Sequence, residues 1–253
     1  MVTTATTRLI SSIKRRTLLP GEQRVTQYVP VALQRPVVCF VTDRSRFGGA
    51  EAAEKLVDLI TDASYAGVDV IQIREGDLPD RTLADLVTRA VDVTRETGTR
   101  IVVNDRMDVA LSAGAAGVHL KSDSIPACLI RPMVPPDWLL GRSVHGMDEA
   151  VEASEAGGLD YLTFGTVFET ASKPRVKATG LTRLEQVALA VTVPVLAIGG
   201  LTVSRAGDLG RHRAAGIAAS SVFIEVWQHG GRKGLTELVG GLRRSFDSGR
   251  ELL

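Results

Sequence analysis

The chain is short of the features that mark several functional classes. Its formal net charge is +1, from 30 basic and 29 acidic residues among 253. No global field therefore draws it to nucleic acid or to an anionic membrane. Aromatic residues make up 4%, too few for a platform that stacks bases. The two cysteines, Cys39 and Cys128, form no CxxC pair. That excludes a zinc cluster and fits a reducing compartment, so a cytoplasmic protein is expected. No apolar run approaches the ~18 residues of a membrane span. The turn after the first apolar run, TDRSRFGGAE (42–51), lacks the GxGxxG of a dinucleotide fold.

Acid is scarce in residues 1–36, where Glu22 stands against Arg8, Lys14, Arg15, Arg16, Arg24 and Arg35. Arginine with many hydroxyls resembles an organelle transit peptide. A disordered basic extension is the preferred reading, since nothing else points to an organelle. The folded domain is expected over 37–250.

What is present is a hydrophobic fraction of 44%, enough for a sizeable core. Apolar runs of strand length recur at Val37–Val41, Val68–Ile73, Arg100–Val103, Gly117–Leu120, Trp138–Val144, Tyr161–Phe164, Pro194–Ile198 and Gly216–Ser220. Helix-period segments follow them: Ala50–Tyr65, a helix from Asp80, Met107–Ala113, a short one between Pro126 and Pro136, Asp148–Ala156, Thr182–Ala190, Ser204–Arg213 and Gly234–Phe246. The strands are too apolar to face water on either side. Eight such units over about 215 residues predict an α/β protein, a single (β/α)8 TIM barrel.

In that fold the chemistry gathers at the C-terminal ends of the strands. Read there, the chain offers Gln72 and Arg74, Asn104 and Asp105, Ser143 and His145, then Thr170, Ser172 and Lys173. Gln72 and Arg74 are two apart and share a strand face, as do Ser143 and His145. Gly199-Gly200 and Ser220-Ser221, at the last two strand ends, suit a phosphate held by backbone N–H groups and a helix N-terminus. Asp105 is the carboxylate best placed for a metal, with Asp123 and Glu75 as companions; alternatively it caps the helix at Met107. Magnesium would take one or two carboxylates plus substrate phosphate oxygens. His145 is the natural general acid or base. His119, inside VHL, reads as a hydrogen-bonded core histidine, and Cys39 as core.

The stretches IQIRE (71–75), VVNDRMDVALSAGAAGVHL (102–120), GRSVHGMDEAVEA (141–153), DYLTFGTVFETASKP (160–174), PVLAIGGLT (194–202) and GIAASSVF (216–223) together resemble the thiamine phosphate synthase/TenI family. The resemblance implies a barrel that binds a thiazole phosphate in thiamin biosynthesis. Its partners would be small-molecule phosphates, with no nucleic acid or membrane; a homo-oligomer is left open. Two activities are implied. The synthase couples hydroxymethylpyrimidine diphosphate to thiazole phosphate and releases pyrophosphate held by magnesium. The TenI-like tautomerase moves a proton to aromatise the thiazole and needs no metal.

Residue by residue, Gln72 and Arg74 match the synthase contacts to pyrimidine and pyrophosphate, and Asn104 with Asp105 its pyrimidine and metal pair. Ser143, Thr170, Ser172 and Lys173 match its polar loop positions, and Gly200 and Ser221 its thiazole phosphate site. Two positions depart. Gly76 stands where the family pattern REK has lysine. Ser124 stands where GQ-x-D has a second metal carboxylate, which leaves Asp123 one residue away. Those losses, with GRSVH and FG-x-VFET, put a TenI-like thiazole tautomerase using His145 first. A synthase comes second, and a non-catalytic phosphate-binding sensor third.

Overall fold

The computed structural model describes Val31, Leu33 and residues 35–170 and 176–252. The expected extension at 1–36 falls almost wholly outside these residues, as do Ser172 and Lys173. Eight parallel strands close into one ring in chain order: β1 Val37–Val41, β2 Val70–Ile73, β3 Arg100–Asn104, β4 Gly117–Leu120, β5 Leu139–Val144, β6 Tyr161–Phe164, β7 Val195–Ile198 and β8 Gly216–Ala219. The ring closes where Val37 pairs with Gly216 and Phe40 with Ala219. The helices are α1 Ala52–Tyr65, α2 Asp80–Thr94, α3 Met107–Ser112, α4 Ala127–Ile130, α5 Met147–Ala156, α6 Leu181–Ala190, α7 Val203–Arg211 and α8 Ser221–Arg250. The expected (β/α)8 barrel is the fold observed.

Strand alternation divides the core in two. Along β1, Val37, Cys39 and Val41 point into the barrel with Val70, Val102, Leu139, Tyr161, Leu196 and Ala218. Val38 and Phe40 point outward to the helix layer with Ile71, Ile73, Val103 and Leu162. Each such fully buried side chain contributes about 1.5–3 kcal/mol. Tyr161 is the bulkiest interior residue, and Gly141 makes room for it. A Cβ on Gly141 would lie 2.2 Å from the Tyr161 ring. Cys39 is wholly buried, and that burial, followed by the charge of Asp69, pushes its thiol up to about 12.

Beneath the barrel, Val31 and Leu33 pack against the interior cluster. There Asp160, at the foot of β6, accepts hydrogen bonds at 2.7 Å from Arg131 Nη2 and from the Leu140 and Val31 amides.

The largest difference from the sequence expectation is α8, placed at Gly234–Phe246 but found to start at Ser221. Gly230-Gly231 reads as a stop, and Gly231 does leave helical geometry (φ 54°, ψ −148°). It joins two helical pieces rather than ending a loop. The first piece is held by packing: Phe223 and Ile224 are buried, and the Phe223 and Phe40 rings lie 5.2 Å apart.

Candidate functional site

The strand ends of β1 to β7 surround a cleft of about 370 Å³. Six expected residues line it: Gln72, Arg74, Asn104, Asp123, Ser143 and His145. Lys121 and Ser122, polar residues of the β4 end in the sequence, line it too, and so does Thr163, which the sequence reading did not pick out. Gly199 and Gly200 follow β7, and Ser220-Ser221 follow β8. Thr170 is not among the lining residues. A wider dish on α5 is lined by Asp148, Val151, Glu152, Glu155 and Ala156. Its ionisable groups are all carboxylates, so it does not suit a phosphate.

The floor of the cleft is a hydrogen-bonded polar layer. Gln72 Nε2 donates to Asn104 Oδ1 at 2.9 Å. His119 is 1% exposed, with Nδ1 3.1 Å from the Tyr161 hydroxyl and Nε2 2.9 Å from Ser143 Oγ. Thr163 Oγ1 lies 3.2 Å from Ser143 Oγ. Burial first, then the charge of Arg74, pushes the imidazole down to about 3, although Asp105 pulls the other way. His119 is thus the neutral core histidine expected, and it positions Ser143.

His145 stands exposed at the rim. Its Nδ1–H donates to the Gly165 carbonyl at 2.7 Å. A carbonyl can only accept, so the neutral ring presents Nε2 as an acceptor. Its backbone amide donates to Glu149 Oε2 at 2.7 Å, which fixes the entry into α5.

Two expectations for carboxylates are corrected. Glu75 is no metal companion. It is 4% exposed and turned out of the barrel, accepting from Thr42 Oγ1 at 2.6 Å and from the Arg44 amide. Burial is the main cause that raises its carboxyl above the ordinary range. Asp105 does not cap α3, which carries no side-chain cap. It sits in the left-handed region (φ 61°), which turns its carboxylate toward the β4 loop. Oδ1 accepts from the Ser124 hydroxyl, and Oδ2 lies 2.8 Å from Lys121 Nζ. Burial alone would raise this carboxyl, but Lys121 and Ser124 outweigh it and hold it below its usual value.

At the other side of the mouth the backbone is forced to be glycine. Gly200 has φ 65°, and a Cβ there would lie 2.4 Å from the Glu169 carbonyl oxygen. The Gly200 carbonyl accepts from Arg205, whose guanidinium lies 4.8 Å from the Phe168 ring centre. Ser220 Oγ is closed off from solvent and has no hydrogen-bond partner among the described residues. Ser220 stands immediately before α8, whose first turn of backbone N–H groups favours an anion.

The sequence profile of the family described as Thiamine monophosphate synthase matches residues 38–223. The chain belongs to the thiamine monophosphate synthase family. The thiamine-phosphate synthase of Roseiflexus castenholzii is 37% identical over 206 residues, covering 81% of this chain and 88% of that protein. That of Caldanaerobacter subterraneus subsp. tengcongensis is 31% identical over 206 residues, covering 81% and 93%. Among solved structures, the thiamine phosphate pyrophosphorylase from Pyrococcus furiosus superposes with a TM-score of 0.69 at 30% identity, over 83% of this chain and 96% of that one.

For a member of this family the fit to magnesium has to be tested on the residues present. Asp105 follows Asn104 but is not itself among the residues lining the cleft, and both its oxygens already hold donors. Among the described residues no group of three or more His, Cys, Asp or Glu is placed to hold a metal. As arranged, the Asp105 carboxylate is taken up by Lys121 and Ser124, so it offers no free oxygen to a divalent ion. No described helix is long and apolar enough to cross a membrane.

Proposed function

We propose that the chain is a thiamine-phosphate synthase, a transferase that couples hydroxymethylpyrimidine diphosphate to thiazole phosphate. The carrying observation is that Gln72, Arg74, Asn104 and Ser143, four of the synthase-matching residues, line one cleft in a chain 37% identical to a protein of that name. This reverses the order suggested by sequence, which put the tautomerase first. In the reaction the methylene carbon–oxygen bond breaks and its electron pair leaves on the diphosphate. The thiazole nitrogen supplies the pair for the new carbon–nitrogen bond.

The residues divide this work by position. The Gln72–Asn104 pair and Ser143 present fixed hydrogen-bonding groups to the pyrimidine edge at the floor. Ser143 is oriented by the neutral His119. Arg74 faces the diphosphate from β2. Gly199, Gly200, Ser220 and Ser221 hold the thiazole phosphate at the ends of β7 and β8, where a helix start favours an anion. Thr170, which follows β6 in sequence, would serve the thiazole side; Ser172 and Lys173 lie outside the described residues.

One observation favours a second reading. His145 offers an imidazole nitrogen of fixed tautomer to the cleft, as a thiazole tautomerase would need. The test is to supply the purified protein with both synthase substrates and magnesium and follow thiamin phosphate. Sustained turnover is expected. Absence of product, together with aromatisation of the thiazole tautomer that is lost in His145→Ala, would replace the synthase with the tautomerase.

A further inference from the structure

We propose that Lys121 is the cation that grips the diphosphate in this chain, standing on the ground beside Asp105 that a divalent ion would need. The inference rests on the synthase reading and goes beyond it. Arg74 is the cation that the β2 end contributes to the cleft. Gly76, two residues on, is exposed and has no side chain, and a Cβ there would meet nothing within 4 Å. The balancing cation comes instead from β4. Lys121 lines the same cleft as Arg74.

The loop is built to hold it there. Ser124 Oγ accepts from the Lys121 amide at 2.9 Å and donates to Asp105 Oδ1. The Ser124 amide donates back to the Lys121 carbonyl at 3.3 Å. This turn sets the ammonium 2.8 Å from Asp105 Oδ2. One serine thus fixes the loop and the carboxylate together, at a position where a second carboxylate would repel Asp105 and call for a metal.

The ion pair is also poised for exchange. The Lys121 side chain is 53% exposed, and pairs this open to water are weak. A diphosphate oxygen arriving beside Arg74 offers the ammonium a more highly charged acceptor than Asp105 does. Lys121 then donates hydrogen bonds to the leaving group as its negative charge grows. No proton is transferred; the ammonium stays protonated throughout.

The probe is inorganic pyrophosphate, titrated calorimetrically into the full chain in EDTA and again in magnesium, with synthase turnover measured alongside. The variants are Lys121→Met and Lys121→Met with Gly76→Lys. Wild type is expected to bind pyrophosphate without metal. Lys121→Met should weaken that binding at least tenfold, and adding Gly76→Lys should recover most of it. Recovery by a lysine at a different place separates charge supply from any structural role of Lys121. Unchanged affinity in Lys121→Met, or no metal-free binding by wild type, overturns the proposal. If wild type makes thiamin phosphate while either of those holds, the proposal fails and the synthase reading stands. If wild type makes none, the synthase reading fails, and Lys121 as a leaving-group cation fails with it.

Discussion

Acidification from pH 7 to pH 5 tests the buried imidazole of His119. Burial, aided by Arg74, holds this ring at about 3 against its ordinary 6.5. Between those values the unfolded chain carries a proton that the folded chain refuses. Stability therefore rises with pH across this window: the contribution is intact above 6.5 and is lost as pH falls toward 3. Linkage between the two values gives a loss of about 2 kcal/mol from pH 7 to pH 5. Urea unfolding of wild type and His119→Gln at pH 7 and pH 5 measures it. Glutamine still offers polar atoms to Ser143 and Tyr161 but does not titrate. Other groups titrate in both proteins and cancel in the difference. The wild type should lose about 2 kcal/mol more than the variant over that interval, with equal denaturant slopes. Parallel stability curves would show that His119 is not held neutral by burial and would remove the argument that it fixes Ser143.

Two further outcomes follow from groups at opposite ends of the barrel. Ser220→Ala should leave stability unchanged or raise it by up to about 1 kcal/mol, since it deletes a closed-off hydroxyl without a partner. The same change should weaken thiazole phosphate binding several-fold by calorimetry, and equal affinity would remove Ser220 from the phosphate cradle. Asp160→Asn uncouples a buried ion pair, with Arg131 10% exposed and Asp160 0%. It should cost about 3–5 kcal/mol, lowering the melting temperature by on the order of 10 °C. Turnover well below that temperature should match wild type, because Asp160 lies at the foot of β6, away from the mouth.

Much of this site was legible because strand geometry is periodic. Gln72 with Arg74, and Ser143 with His145, were paired by a spacing of two, and all four line the cleft. The same rule applied to Glu75 gives the outward face, where it is found bound to Thr42; its charge had obscured its parity. Asp105 breaks the rule the other way. One residue beyond Asn104 it should face outward, but at its positive φ it meets Lys121 and Ser124 of the β4 loop instead. No pattern in the sequence announces a left-handed aspartate. Contacts that span strands were equally hidden. His119 on β4 reaches Ser143 on β5 and Tyr161 on β6, an arrangement set by barrel closure rather than by sequence distance. The start of α8 was missed because Gly230-Gly231 carries a local stop signal, while the anchor for the first piece, Phe223 on Phe40, is tertiary.

The filled interior has a consequence for traffic. Tyr161, Leu139 and Leu196 occupy the barrel, and Val31 and Leu33 pack against the same cluster, so among the described residues the cleft has no way through the barrel. On the proposed reading, a molecule seated on Gln72 and Asn104 would be the first in and the last out, because a ligand across the rim beside His145 would block its path. Binding from one side would then impose a queue, with the ligand of the rim as the cork for the ligand of the floor.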